Sequence, residues 1–315
     1  MRLIGHRGAS AAAPENTIGS VRAALGAGAG FEVDLGILRS GEVVVLHDST
    51  LRRTAAAQPW LWLTSPTYRA ILDAPTTDLE LDELRGVNVG SWLRPEPVPT
   101  FPQMLDELSR ACAANAPAAH CYAELKADAD VASSTCDAGL IAACEAAVRA
   151  AAIPPSRLTW ISFSLSALVT LRSRGGRRAR GSGCSPRRAR PTRARRVQVE
   201  LKRRMPEYEA LLIGKVYSRE QATDLARKCV DAGLDGIDVN ADAGTVSAEL
   251  VEWMHARNKK VGVWVWRAPA PNDNPDVWAA MADVGVDVFT SNLPPGALEW
   301  FGERASGARR SRGSG

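Results

Sequence analysis

Apolar positions along this chain fall into short runs separated by stretches of helical spacing. The first run is Leu3-Ile4-Gly5. Ile18, Val21, Ala24 and Leu25 then recur at three- and four-residue intervals, so Thr17 to Ala27 reads as a helix. Pro14 with Asn16 or Thr17 starts it, and Gly26-Ala-Gly-Ala-Gly30 ends it. Phe31 opens a second run that contains Glu32 and Asp34. After the Ser40-Gly41 turn, Val43 to Leu46 returns as a hairpin arm and stops at His47-Asp48. Farther on, Phe101 to Cys112 is a helix with Met104, Leu105 and Leu108 facing inward. Strands are expected at Cys121–Leu125, Leu158–Ile161, Leu211–Gly214, Asp235–Val239, Val261–Val265 and Val286–Thr290. Helices are expected between them, at 137–151, 165–171, 219–232, 247–257 and 276–283, with a short one over Gly296 to Phe301.

Strand starts at Leu3, Phe31, Cys121, Leu158, Leu211, Asp235, Val261 and Val286 make eight strands alternating with helices. That order is the signature of an α/β protein of the (β/α)8 TIM-barrel class. A doubly wound sheet is the alternative, but no Gly-x-Gly-x-x-Gly follows the first strand. Three stretches break the alternation. Residues 49–100 read as a small insertion after the second strand and its hairpin; only Asp82 to Arg85 hints at a helical turn, and Trp60 and Trp62 are expected in the insertion's own core. Residues 172–196 hold Arg, Gly, Ser and Pro with almost nothing to bury, so loop or disorder is expected there. The tail from Gly302 is rich in Gly, Ser and Arg and is expected to fray, leaving 1–302 as the barrel domain and 303–315 as tail.

Composition changes this picture in one respect. The 315 residues suit one barrel with an insertion, and 45% hydrophobic with 23% charged residues is ordinary for a soluble protein. No apolar run approaches the roughly 18 residues needed to cross a bilayer. Met1 stands too close to the first strand for a signal peptide, and the six cysteines (112, 121, 136, 144, 184 and 229) lack pairing or metal-type spacing. A cytoplasmic protein with reduced thiols is the expectation. The net charge of +4 is deceptive: 172–196 contains 11 arginines and no acid, so the rest of the chain carries −7. That segment is either a solvated, phosphate-attracting loop or a stretch that is not native coding, since such mixtures arise from out-of-frame reading of GC-rich DNA.

The chemistry starts from Glu32 and Asp34. Residues two apart in a strand share a face, and two acids converging in an apolar strand are costly unless a cation lies between them. The hairpin brings His47 back toward them, which suggests a metal site with an acid/base histidine. Functional groups of a barrel gather where strands end. There the chain has His6-Arg7, Glu124-Leu-Lys126, Ser162-Phe163 and Trp264-Val-Trp266. Glu124 and Lys126 can alternatively form an internal ion pair. His120 and His255, which lie outside any motif, read as structural. Trp264 is expected to face the helices.

His6-Arg-Gly-Ala-Ser, Pro14-Glu-Asn-Thr17, Glu-x-Asp at 32–34 and Val-x-x-His-Asp ending at Asp48 together resemble the glycerophosphodiester phosphodiesterase family. Glu124-Leu-Lys126, Ser162-Phe163, Val263-Trp-Val-Trp266 and Gly285-Val-Asp-Val-Phe-Thr290 continue the family's order, so the likeness spans about residues 3 to 295. The resemblance implies a (β/α)8 barrel with an insertion after His-Asp. It implies metal-dependent hydrolysis of small glycerophosphodiesters to sn-glycerol 3-phosphate and an alcohol, through a cyclic phosphate. Glu32, Asp34 and Glu124 would hold a divalent cation, Mg²⁺ or Ca²⁺ in view of the all-oxygen donor set. His6 and His47 would be the acid/base pair, Arg7 and Lys126 would hold phosphate oxygens, and Trp266 would wall the glycerol carbons. Glu15 and Asn16 are expected to shape the loop beside the metal.

Departures touch other positions. Leu38-Arg-Ser-Gly41 stands for Thr-Lys-Asp-Gly, Trp266-Arg-Ala-Pro269 for Trp-Thr-x-Asn, and Thr290-Ser-Asn-Leu-Pro294 for Thr-Asp-x-Pro. Two rival functions are a barrel phospholipase acting on larger lipids and an anion- or nucleic-acid-binding protein using the arginine segment. The first lacks an apolar rim stripe, and the second lacks aromatics among the arginines.

Overall fold

Alternation within each apolar run sorts its side chains to two faces, and the chain closes so that both faces are covered. The computed structural model describes residues 1–55, 59–126, 134–163, 201–266 and 270–312, the side chains of 59, 60, 62, 134–138 and 305–312 excepted. Its strands are β1 (Arg2–Gly5), β2 (Gly30–Ile37), β3 (Val43–Val45), β4 (Cys121–Leu125), β5 (Leu158–Ser162), β6 (Glu209–Gly214), β7 (Gly236–Asn240), β8 (Lys260–Trp264) and β9 (Val288–Ser291). The order runs β1-β9-β8-β7-β6-β5-β4-β2, and a β1–β2 pairing closes the ring. All eight of these strands pair in parallel, while β3 lies antiparallel outside the ring on β2, with Leu35 opposite Val45. The eight expected barrel strands are all present, and the fold is a (β/α)8 barrel.

Phe31, Val33 and Leu35 of β2, like Val261 and Val263 of β8, point outward into the core shared with the helices. The helix Phe101–Ala113 supplies Phe101, Met104, Leu105 and Leu108 to that core. Each such side chain contributes about 1.5–3 kcal/mol through burial. The inward positions build a second, smaller cluster from Ile4, Tyr122, Ile161, Leu211, Ile213, Trp264 and Val288. Trp264 therefore does not face the helices. It is two residues from Trp266, and positions two apart share a face, so both indoles point to the barrel axis with ring centroids 4.9 Å apart.

At the N-terminal end of the strands, His120 is buried and its Nε2 bonds Thr159 Oγ1 at 2.8 Å, while its Nδ1 lies 3.1 Å from Ser156 O. His255 pairs with Asp287 at 2.9 Å. Both histidines sit away from the strand ends that carry the chemistry, in structural roles.

The insertion is more ordered than the sequence pattern suggests. It contains helices Pro59–Thr64, Pro66–Asp73 and Leu81–Leu84, and a 3-10 turn at Thr76–Asp78. Ser65 caps the second of these by accepting from Tyr68 N at 3.2 Å, with Pro66 in its first turn. A separate core joins Leu51, Tyr68, Leu72, Leu79 and Leu84 to Val44 and Leu46 of the hairpin arm, which fixes His47 at the barrel rim. The side chains of Trp60 and Trp62 lie outside the described residues. The last helix runs Pro294–Arg312, past the expected stop at Phe301, so the segment from Gly302 to Arg312 is helix where a frayed tail was expected. Trp300 and Phe301 pack on the main core, and one turn further on Arg304 pairs with Asp283. The arginine-rich 172–196 and the helix expected at 165–171 lie outside the described residues.

Candidate active site

The turn after β1 sets the first half of the site. Arg7 and Asn16 adopt left-handed backbone conformations, with φ 56° and 58°. For residues with a side chain this costs of order 1–3 kcal/mol and persists where surrounding contacts enforce it. The enforcing contacts run directly to the acids of β2. Arg7 N donates to Glu32 Oε2 at 2.7 Å, Asn16 Nδ2 donates to Asp34 Oδ2 at 2.7 Å, and Asp34 N donates back to Asn16 Oδ1 at 3.2 Å. Gly8 (φ 79°) lets the turn press on the helix Ile18–Gly26, because a Cβ there would lie 2.4 Å from Ser20 Oγ. Thr17 caps that helix, accepting from Ser20 N.

Glu32, Asp34 and Glu124 each offer one oxygen within 4.8 Å of the others, and all three are buried. Register puts Asp34 beside Glu124 on the neighbouring strand. Lys126 Nζ bridges them, 2.9 Å from Asp34 and 2.7 Å from Glu124, so the ion pair with Glu124 is present together with the convergence of acids. Arg7 reaches Glu15 at 2.8 Å and lies 3.4 Å from Asp34. Burial and then the charges of Asp34 and Glu124 push the Glu32 carboxyl well above the usual range. Burial also raises Glu124, against the pull of Lys126. Asp34 goes the other way: burial opposes its ionisation, but Lys126 and Arg7 hold it far below the usual range. Glu32 Oε1 is buried with no hydrogen-bond partner among the described residues. Three converging hard-oxygen donors, one of them orphaned, fit a divalent cation.

The histidines stand on either side. His6 Nδ1 lies 2.9 Å from Asn292 Oδ1. The orientation of that amide is fixed because Asn292 Nδ2 donates to Trp266 O at 2.7 Å, while its Oδ1 also accepts from Ser10 Oγ at 3.0 Å. His6 therefore carries its proton on Nδ1 and leaves Nε2 free. Burial and then Arg7 lower its pKa to about 4, so the ring is neutral at pH 7. His47 is different: its Nδ1 lies 2.7 Å from Asp48 Oδ1. Asp48 is ion-paired to Arg53, which binds Glu15 at 2.7 Å as well. Burial works against the Asp48 carboxylate, but hydrogen bonds from His47 and Arg53 hold it ionised far below the usual range.

A cavity of about 200 Å³ joins these groups, reached by His6, Arg7, Glu32, His47, Glu124 and Lys126 on one side. Trp264, Trp266, Phe163 and Lys215 form the opposite wall. Lys215 Nζ lies 5.5 Å from the Trp266 ring centroid and 5.8 Å from that of Phe163. The eight residues that the sequence singled out thus come together around one space, Asp34 just behind its lining.

Several groups were not legible beforehand. Arg53 comes from the insertion and Asn292 from the loop after β9, neither with a local signal. Asp238 and Thr290 also line the cavity. Asp238 had a usable signal, as a lone acid at an inward position of the apolar Gly236-Ile-Asp-Val-Asn240. Burial and then Glu124 push its carboxyl up to about 8.

A family model described as the glycerophosphoryl diester phosphodiesterase family matches residues 6–294. The human glycerophosphoinositol inositolphosphodiesterase is 35% identical over 91 residues, which cover 29% of this chain and 16% of that protein. The glycerophosphodiester phosphodiesterase of Caldanaerobacter subterraneus subsp. tengcongensis is 29% identical over 109 residues, 33% of this chain and 39% of its own. These alignments span well under half the length of either relative. Among solved structures, an Oleispira antarctica phosphodiesterase in complex with the product sn-glycerol-3-phosphate superposes with a TM-score of 0.65 at 18% identity, covering 96% of both chains. At that identity the likeness speaks for the fold alone.

Proposed function

Since this chain belongs to the glycerophosphoryl diester phosphodiesterase family, we propose that it hydrolyses glycerophosphodiesters to sn-glycerol 3-phosphate and an alcohol, using Mg²⁺ or Ca²⁺. The observation that carries the reading is the meeting of three buried carboxylates, two cations and two differently partnered histidines around one cavity. Glu32, Asp34 and Glu124 would hold the cation. When bound, it would polarise the phosphate and lower the pKa of the attacking hydroxyl.

The remaining steps belong to the chain's own residues. Arg7 and Lys126 place two positive groups where phosphate oxygens gain charge in the transition state. Neutral His6, with Nε2 free, takes the proton of the substrate's glycerol hydroxyl as that oxygen attacks phosphorus. His47, oriented through its Nδ1 by Asp48, gives its proton to the departing alcohol oxygen. The product of this step is a cyclic phosphate plus the alcohol. Water then opens the ring with the roles reversed: His47 accepts the proton of water, and His6 returns one to the released glycerol oxygen.

The test is release of glycerol 3-phosphate from glycerophosphocholine and glycerophosphoethanolamine with EDTA, Mg²⁺ or Ca²⁺, comparing wild type with His47→Ala and Glu32→Gln. Metal-dependent release lost in both variants is the expected result. No release by a folded wild-type protein overturns the proposal.

A further inference from the structure

Two buried polar atoms in the cavity floor have no role in the reaction as derived. Asp238 Oδ1 and Thr290 Oγ1 are both without a hydrogen-bond partner among the described residues, although Asp238 is 1% exposed and Thr290 2%. A buried acceptor or donor left unpaired is destabilising, and such groups are rare enough to need a reason. They flank β8, one on β7 and one on β9, and both line the cavity. Next to Asp238 in register, Gly262 carries no side chain, while Thr290 is paired two residues further along β8, with Trp264. A Cβ at Gly262 would lie 2.9 Å from Asp238 Oδ1 and 3.1 Å from its Cγ, so glycine is what leaves the carboxyl room. Ile161 and Ile213 close the rest of the floor with apolar surface, which supplies no alternative partner.

We propose that Asp238, in the cavity that Thr290 also lines, forms a hydroxyl-binding floor that takes the terminal hydroxyl of the substrate's glycerol. This rests on the phosphodiesterase reading above and adds to it a direction of binding. The cavity, about 200 Å³ in volume with Asp238 and Thr290 almost fully buried, suits the glycerol that every such substrate carries. The rim, where Phe163 is 40% exposed, suits the variable alcohol. Holding the terminal hydroxyl at Asp238 leaves its neighbour on the glycerol free to attack phosphorus. A carboxyl that burial keeps protonated near neutral pH can both donate to and accept from a hydroxyl, and the asparagine isostere keeps both capacities.

The test compares binding of sn-glycerol 3-phosphate with that of 2-hydroxypropyl phosphate, which lacks only the terminal hydroxyl. Calorimetry at pH 7 with saturating Ca²⁺ would be run on wild type, Asp238→Asn, Asp238→Val and Gly262→Ala. Wild type is expected to prefer glycerol 3-phosphate by about tenfold, the value of one good hydrogen bond. Asp238→Val should bring that ratio near about 1 with little change toward 2-hydroxypropyl phosphate, while Asp238→Asn keeps it within about threefold. Its melting temperature should stay level or rise, since an orphaned carboxyl is removed; a carboxylate with a structural role would give a fall. Gly262→Ala, which keeps the carboxyl but displaces it, gives an independent answer if the valine variant does not fold. A ratio unchanged in Asp238→Val and Gly262→Ala, or an equal loss for both ligands, overturns the floor. If phosphodiesters are not turned over yet the ratio collapses in the variants, the floor stands and the phosphodiesterase reading fails. Turnover with an unchanged ratio sinks the floor alone.

Discussion

Replacing Asn292 by Asp tests how His6 is kept neutral. The substitution keeps an oxygen where Asn292 Oδ1 now accepts from His6 Nδ1 at 2.9 Å, but gives it a negative charge. Unit charges about 4 Å apart attract by about 4 kcal/mol at an effective dielectric of 20, or about 3 pK units. His6 opens on the cavity, whose water screens part of this, so a rise of about 2 units is expected, in line with the 1–3 units that a neighbouring opposite charge produces. From the present value of about 4, His6 would move to about 6. The assay is NMR titration of the imidazole Cε1–H signals, with His6 assigned by its loss in His6→Ala, and a pH profile of kcat/KM. At pH 5 a ring of pKa about 4 is about nine-tenths neutral and one of about 6 about one-tenth. Asn292→Asp should thus be about tenfold slower than wild type at pH 5 and nearly equal at pH 8.

Stability carries the same sign. A histidine whose folded pKa is depressed binds its proton more readily in the unfolded chain, so the folded state loses stability as pH falls from about 6.5 toward about 4. The loss is at most about 3 kcal/mol, nearer half that after screening, and it should shrink in the variant. Against it stands the lost donor to Trp266 O, now 2.7 Å away, which lowers overall stability by about 1–3 kcal/mol. Titration of wild-type His6 near 6.5, or a shift under about half a unit in the variant, would refute the reasoning.

Glu32→Gln should abolish the rise in melting temperature that Ca²⁺ or Mg²⁺ gives the wild type, and lower activity by about 10²-fold or more; a full metal response by scanning fluorimetry would remove Glu32 from the ligand set. Asp48→Asn leaves His47 Nδ1 a neutral partner and should cut kcat by about 10–100-fold in steady-state assays with KM little changed. Leu84→Ala, in the insertion's own core, should cost about 2–4 kcal/mol in urea unfolding if that core is coupled to the barrel; separate transitions for insertion and barrel would count against the coupling.

The barrel was legible because its strands are covered on both faces and so read as apolar runs, each followed by a helix with its own stripe. The insertion was harder. Its helix Pro59–Thr64 is too short for periodicity to register; Asp82 to Arg85 hinted at the turn found at Leu81–Leu84, and Ser65-Pro66 was a start signal in plain view. Trp264 was misplaced by treating residues two apart as opposed. The site residues were legible for an energetic reason: Glu32 and Asp34 contradict the apolar strand that holds them, and a conflict between local sequence and burial marks function. Asn292, Arg53 and Thr290 carry no such conflict, being ordinary polar residues at loops and strand ends that gain meaning only through what the fold sets beside them.

The charges make one further point about those conflicts. Around the cavity, Glu15, Glu32, Asp34, Asp48, Glu124 and Asp238 face Arg7, Arg53, Lys126 and Lys215. With every carboxyl ionised, six acids against four cations leave two negative charges around the cavity. A phosphodiester anion entering it would add a third, at a cost that buried like charges make steep. The structure as it stands relieves the excess by pushing the Glu32 and Glu124 carboxyls upward, toward the neutral form. A divalent cation at those same oxygens would cancel the two charges instead, return both glutamates to their ionised state, and open the cavity to a phosphate. On the proposed reading, the raised pair is the reason that Glu32→Gln should weaken cation and phosphate binding together.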